Sequence, residues 1–305
     1  MKKKIIYTLL IAFLGGFIAW FYICKATINV IYYSDAKYIP YMATSIYSIQ
    51  KNKNFYTRYN VYVIAENFNH IDKQKIKALE SRDLKIHIIS AKEQNLEYSH
   101  LGRFIAFKPA MQKVFIPEYI KDINKAIYLD ADTIIQKDLF ELYNKNMRGA
   151  YIAASKDGLM FMYPEHIREI NIDWRNFYFN SGVMLLNLNE MRKDDLVKKG
   201  VMYFHTHEEV FGDQDVLNVI SKDKVKEISY IYNCNSTFFE ENSTQFLTEF
   251  FKEPVPDSPT KVYENAVVLH FAGHKPWTEW FVQPYLKSLW WNYANEVSAK
   301  YNIAY

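Results

Sequence analysis

Short apolar runs, the pattern of buried strands, alternate along this chain with stretches that read as helices. Ile28–Tyr33 is the first such run, and Pro40 then opens a helical stretch that continues to Ile49. Asn60–Ala65 and Lys85–Ser90 read as two further strands around a helix at His70–Glu80. Val114–Ile120 is apolar and leads into a central strand, Ala126–Leu129. A short helix is expected at Leu139–Tyr143, a strand at Ala150–Ala154, and a strong strand at Gly182–Leu188, just after Asn180-Ser181. Helices follow at Leu196–His205 and Asp213–Ile220, a last strand at Val267–Phe271, and an aromatic helix at Pro284–Tyr301. Residues 91–112 carry mixed signals, and 160–177 and 233–260 read as loops. This alternation predicts a layered α/β domain with a mostly parallel sheet. No repeat or linker divides residues 28–305, so they read as one domain.

The other conspicuous apolar stretch lies at the amino terminus. Lys2-Lys3-Lys4 precedes an uncharged run from Ile5 to Cys24, with Lys25 after it. Twenty residues at about 1.5 Å each just cross a hydrocarbon core of ~30 Å. Residues 1–27 are therefore expected to form an uncleaved, single-pass membrane anchor. The lysines favour a cytosolic amino terminus, which sends the domain across the membrane. That topology suits a Golgi or ER type II protein with a luminal domain. In a bacterium the domain is instead expected on the cytosolic face of the inner membrane, and the missing stalk and aromatic terminal helix favour this placement.

Composition changes this picture little. Half of the 305 residues are apolar and the formal net charge is +3, with basic residues spread out, so no nucleic-acid footprint is present. Two cysteines, Cys24 and Cys234, make neither a disulfide framework nor a zinc site. The many Tyr and Trp residues offer flat apolar faces with polar edges, which suit sugars and nucleobases.

The candidate chemistry gathers at strand ends, where open α/β sheets bind ligands. Asp35, Asp130, Asp132, Asp157 and His270 all stand there. Asp130 and Asp132 end the run Tyr128-Leu129. As residues i and i+2 of a strand they would share a face, and two crowded carboxylates call for a cation. With His270 they make a mixed oxygen and nitrogen set suited to Mn²⁺, with Mg²⁺ as the alternative. The segment His270-Phe-Ala-Gly273-His-Lys275-Pro adds a glycine for close approach and a lysine as a point charge for phosphate. A metal beside a lysine suggests a diphosphate ligand.

These blocks together resemble glycosyltransferase family 8, which includes bacterial lipopolysaccharide galactosyl- and glucosyltransferases, glycogenins and glucoside xylosyltransferases. The resemblance runs from Ile28 to the terminal helix. It rests on Tyr-Tyr-Ser-Asp35-Ala-Lys-Tyr38, Phe115-Ile-Pro-Glu-Tyr with Tyr128-Leu-Asp-Ala-Asp132, and Phe179-Asn-Ser-Gly-Val-Met-Leu-Leu-Asn187. Gly212-Asp-Gln-Asp-Val-Leu-Asn218 and His270–Trp277 complete it. It implies a Rossmann-like GT-A domain and a retaining, metal-dependent transfer from a UDP-sugar to a glycan or glycolipid acceptor. It further implies that Asp35 and Tyr38 hold the uracil, that Asn180, Ser181 and Asp157 bind substrate, and that Asp213 and Gln214 serve the transferred sugar. Gln214 or Asp213 would act as a transient nucleophile, or the acceptor would attack from the leaving-group face. Two positions depart from the family pattern. Lys113 replaces an arginine at a substrate contact, and the spacing from Gly273 to Lys275 is one residue short. A self-glucosylating initiator and a metal-dependent nucleotide-sugar phosphohydrolase are the competing readings. A non-catalytic relative would have lost the metal ligands, which are all present here.

Overall fold

The structure is a computed structural model that describes residues 25–91, 111–172, 177–206, 211–235, 238–239 and 242–305. Its strands, in chain order, are β1 (Ala26–Asp35), β2 (Thr57–Glu66), β3 (Leu84–Ser90), β4 (Lys125–Leu129), β5 (Thr133–Ile135), β6 (Ile152–Lys156), β7 (Phe179–Asn187), β8 (Val225–Glu227), β9 (Cys234–Asn235) and β10 (Val268–His270). Seven of them form a mixed sheet in the order β3-β2-β1-β4-β7-β6-β8. The pairings β3-β2, β2-β1, β1-β4 and β6-β8 are parallel. β7 runs antiparallel to both β4 and β6.

A sheet covered on both faces needs strands that are apolar throughout, and the central strands are. Ile28, Val30 and Tyr32 of β1 enter one core with Ile127, Leu129, Val183 and Leu185. The alternate residues Ile31 and Tyr33 enter a second core with Ala126, Tyr128, Met184 and Leu186. A third, aromatic core gathers Phe239, Phe251, Phe271 and Trp290 around a small sheet ordered β5-β10-β9. The helix Ile39–Asn52, with Pro40 in its first turn, joins this small sheet to the large one. Its Ser45 hydroxyl bonds Tyr32 of β1 and Thr133 of β5, each at 2.8 Å, and Ser48 accepts from the Ile135 amide at 2.8 Å.

Several expectations are corrected. Among the described residues no helix is long and apolar enough to cross a membrane. The single-pass anchor, and the membrane placement built on it, are therefore withdrawn; Ile5 to Cys24 lies outside the described residues. β1 starts two residues early, because Ala26 and Thr27 already register against Thr57 and Arg58. The stretch read as a loop after Asp157 holds helices at Leu159–Met162 and Pro164–Glu169, and the 233–260 stretch holds β9 and the helix Thr244–Phe251. These elements are a few residues long and pack aromatic rings against one another, a signal that composition alone hides. Phe161 and Phe246, for example, have ring centroids 4.7 Å apart.

Candidate functional site

Asp130 and Asp132 converge, but not as same-face residues of one strand. β4 ends at Leu129, and the two aspartates occupy the turn that carries the chain into β5. Three backbone-level contacts shape that turn. The Asp130 amide donates to the Gly182 carbonyl of β7 at 2.8 Å, the Phe271 amide after β10 donates to the Asp132 carbonyl at 3.0 Å, and the Thr133 hydroxyl donates to the Asp130 carbonyl at 2.8 Å. The turn therefore sits where the large and small sheets meet, and β10 brings His270 to it. Ligand atoms of Asp130, Asp132 and His270 lie within 4.8 Å of one another. His270 Nε2 is the nitrogen that faces the pair, 3.7 Å from Asp130 Oδ2 and 3.5 Å from Asp132 Oδ1. Two carboxylates and an imidazole, open on the pocket side, fit a divalent ion that keeps further positions for oxygen ligands.

The cluster lines one end of a cavity of about 550 Å³. Lys113, Asp157, Asn180, Ser181, Asp213, Gln214, Gly273 and Lys275 line the same cavity. Asp35 and Tyr38 do not. The Asp35 carboxylate accepts the Tyr38 amide at 3.0 Å and caps a single helical turn, and Tyr38 lies exposed beside the cavity, edge-on to Tyr41 at 5.4 Å. Burial raises the pKa of the Tyr38 phenol above its usual value, with Lys275 opposing the shift and Asp132 adding to it.

Charge is balanced locally. Lys113 Nζ, buried, lies 3.0 Å from Asp130 Oδ1 and 3.1 Å from Asp213 Oδ2, so it bridges the two carboxylates. Burial alone would weaken its hold on the proton, but the two carboxylates outweigh that and raise its pKa above the usual lysine value. Lys275 Nζ bonds the Asp132 carboxylate and the Phe271 carbonyl, the latter at 2.8 Å. For Asp132, burial would raise the pKa, yet Lys275 and His270 together hold the carboxyl far below its ordinary value. Asp213 goes the other way: burial, with Asp130 nearby, outweighs Lys113 and pushes its pKa up. Gly273 adopts φ +89°, a left-handed turn that brings Lys275 back over the aspartates.

Next to this cluster lies a hydrogen-bonded lattice on β7 and the helix Asp213–Ser221. Asn180 and Ser181, expected just before a strand, are part of β7. The Ser181 hydroxyl donates to Asp213 at 2.7 Å, and its amide donates to Gln214 Oε1 at 3.0 Å. Asn180 Nδ2 donates to Asp157 at 2.6 Å, and Gln214 Nε2 reaches the same carboxylate oxygen at 3.3 Å. Leu159, Met162, Phe211 and Phe238 close this end with apolar surface.

Three supporting residues were not singled out from sequence. Asn218, four residues after Gln214, pins the helix to β7 through the Phe179 amide and carbonyl, both at 2.9 Å. That i,i+4 spacing was a visible signal. Asp215, fully buried, accepts from Tyr178 at 2.7 Å and from the Phe211 amide at 2.9 Å, and faces His166 Nε2 at 3.0 Å. Asn233 lies 2.9 Å from His270 Nδ1. It sits in a stretch whose composition reads as loop, and nothing local distinguishes it.

The profile of Glycosyl transferase family 8 matches residues 29–281, most of the chain and all of this site. The chain belongs to that family. Among curated family relatives, a putative glycosyltransferase of Haemophilus influenzae is 32% identical over 222 residues. That match covers 69% of this chain and 64% of the relative, so the chain spans just under two thirds of that protein. A lipopolysaccharide 1,2-glucosyltransferase of Escherichia coli K12 is 27% identical over 271 residues, 85% of this chain and 75% of that one. Among solved structures, the galactosyltransferase LgtC, crystallised with donor and acceptor sugar analogues, superposes with a TM-score of 0.69 at 20% identity, covering 90% of this chain and 95% of that one. Likeness at that identity speaks for the fold, a GT-A-like α/β domain with a mixed sheet.

Proposed function

We propose that this family 8 protein transfers a hexose or pentose from a UDP-sugar, with retention of configuration, to a hydroxyl of a glycan acceptor such as lipopolysaccharide. The observation that carries the reading is the joining, in one cavity, of an Asp130-Asp132-His270 cluster to a lattice of buried hydrogen-bonding side chains on β7 and its helix. The first suits a metal–diphosphate and the second suits sugar hydroxyls. Membership of the family and the lipopolysaccharide glucosyltransferase relative support the choice of reaction and acceptor class.

In this reading Asp130, Asp132 and His270 hold Mn²⁺ or Mg²⁺. A bound divalent ion supplies Lewis-acid stabilisation of a diphosphate leaving group. Lys275, on a long stem beside Asp132, exchanges that carboxylate for a phosphate oxygen of the donor. Asp35 accepts from the uracil imide and Tyr38 stacks on the ring at the cavity's edge. Asp157, Asn180, Ser181 and Asp213 orient the sugar hydroxyls, and Gly273 leaves room for the diphosphate. Lys113 offsets the repulsion between Asp213 and Asp130, a task a point charge performs without the planar fork of an arginine. Gln214 Oε1 accepts the Ser181 amide, and Asp213 Oδ2 accepts from Ser181 and Lys113, so each candidate nucleophile is held in place by an oxygen. The two routes are acceptor attack from the leaving-group face and a covalent intermediate on Asp213 or Gln214. The apolar wall of Leu159, Met162 and Phe238 gives the acceptor a surface to pack against.

The test is UDP release and product formation across a panel of UDP-sugars, with Mn²⁺, with chelator, and with and without a glycan acceptor. D132A should reduce transfer at least a hundredfold. Ordinary turnover in D132A or under chelation refutes the metal assignment. Release that ignores the acceptor favours the phosphohydrolase reading, and a mass gain of one hexose on the protein itself favours the self-glucosylating one.

A further inference from the structure

The orientation of His270 is set by a chain of hydrogen bonds whose direction can be read from one unambiguous donor. The Gly182 amide can only donate, and it lies 2.9 Å from Asn180 Oδ1, so that atom is an acceptor oxygen. Asn233 places its amide group 2.9 Å from the same oxygen and must donate to it through Nδ2. The remaining Asn233 atom, Oδ1, is then the one that meets His270 Nδ1 at 2.9 Å. An amide oxygen only accepts, so Nδ1 must carry a proton. In a neutral imidazole that leaves the lone pair on Nε2, the nitrogen that faces Asp130 and Asp132. Asn233 is 5% exposed and His270 3%, so water has little access to replace either bond.

We infer that Asn233 is a positioning residue for the metal centre, holding His270 in the Nδ1–H tautomer, and that Asn180 holds Asn233 in turn. Asn180 also contacts Asp157 at the sugar end, so a single side chain joins the two halves of the cavity. Groups that accept the second ring proton of a metal-bound histidine orient the ring and strengthen the ligand, and their loss typically costs about 10–100-fold in metal affinity. The inference rests on the metal reading proposed above.

The test is Mn²⁺ titration of the full chain by calorimetry, together with ¹⁵N NMR of the His270 ring in metal-free protein. The ring signals are assigned by their loss in H270Q. The expected wild-type spectrum shows a protonated Nδ1 and a bare Nε2. N233A should bind Mn²⁺ about 10–100-fold more weakly and shift the ring toward the Nε2–H tautomer. N233D, which keeps an acceptor for Nδ1–H, should restore affinity to within a few-fold. N180A, which removes the oxygen that orients Asn233 along with the bonds to Gly182 and Asp157, should weaken Mn²⁺ binding too, an effect that a pure sugar contact would not have. A wild-type His270 protonated on Nε2, or an N233A protein that binds Mn²⁺ as tightly as wild type, overturns the inference while leaving the metal site intact. Absence of Mn²⁺ binding by the wild type overturns the metal reading and the inference with it.

Discussion

Replacing Gly182 by alanine isolates the geometry on which the proposed metal site depends. Gly182 lies in β7 with a backbone any residue can adopt, so conformation does not demand glycine there. Space does. A Cβ built at Gly182 would stand 2.1 Å from His270 Cε1 and 2.8 Å from each ring nitrogen. Ordinary carbon–carbon contact is about 3.5 Å, so the ring must retreat by about 1.4 Å. Metal–ligand distances tolerate only about 0.2 Å, so the retreating ring no longer serves as a ligand. Nor can the ring yield freely, because it is buried and tied to Asn233. The expected result for G182A is a loss of Mn²⁺ affinity of at least tenfold, with an overpacking cost of about 1–3 kcal/mol in denaturant unfolding. A double-mutant cycle supplies the control. In an H270A background the three nearest obstructions, all His270 ring atoms, are gone, and Gly→Ala then stabilises by about 0.4–1 kcal/mol through the unfolded chain. The sign of the stability change should therefore reverse between the two backgrounds. Wild-type Mn²⁺ affinity in G182A, or a destabilisation that persists in H270A, would refute the reasoning.

Three further outcomes follow from the same structure. K113M leaves Asp130 and Asp213 facing each other without a buried counter-charge and should cost about 3–5 kcal/mol in urea unfolding; a cost below 1 kcal/mol would show that the bridge is dispensable. D215N weakens the bonds to Tyr178, Phe211 and His166 and should cost about 2–3 kcal/mol, read as a lowered melting temperature, with slower sugar transfer as the helix Asp213–Ser221 loosens. Asp83 pairs with Lys25 at 2.5 Å and Lys53 at 3.4 Å; burial would raise its pKa, but the two lysines outweigh it and depress the folded value. Its contribution is therefore present above the unfolded carboxylate pKa of about 3.9 and is lost as pH falls through the depressed folded value, so wild type should exceed D83N by about 1 kcal/mol at pH 7 and the gap should close below about pH 4.

The main sheet was legible because its central strands are apolar on both faces and their flanking helices carry clear punctuation such as Pro40. The short elements were not. Leu159–Met162 and Pro164–Glu169 have too few residues to show a helical period, and β9 is two residues long. They form because the aromatic core and the sheet edge are there to receive them. The amino-terminal run shows the opposite hazard, since hydropathy alone suggested a membrane span that no described helix supports.

The candidate chemistry was named by the sequence itself: two aspartates one residue apart, a histidine and a lysine near the carboxyl end, and Asp213-Gln214 opening a helix. Residue types and their order limit what a site can bind, and they survive in one dimension. How those residues meet was decided only by the tertiary structure. The aspartates converge through a turn suspended between β7 and β10, Lys113 bridges Asp130 and Asp213, Gly182 leaves room for the His270 ring, and Asn233 Oδ1 stands against its Nδ1. Those are contacts between residues far apart in the chain, and their hydrogen-bond directions and sub-ångström clearances exist only once the sheets have packed.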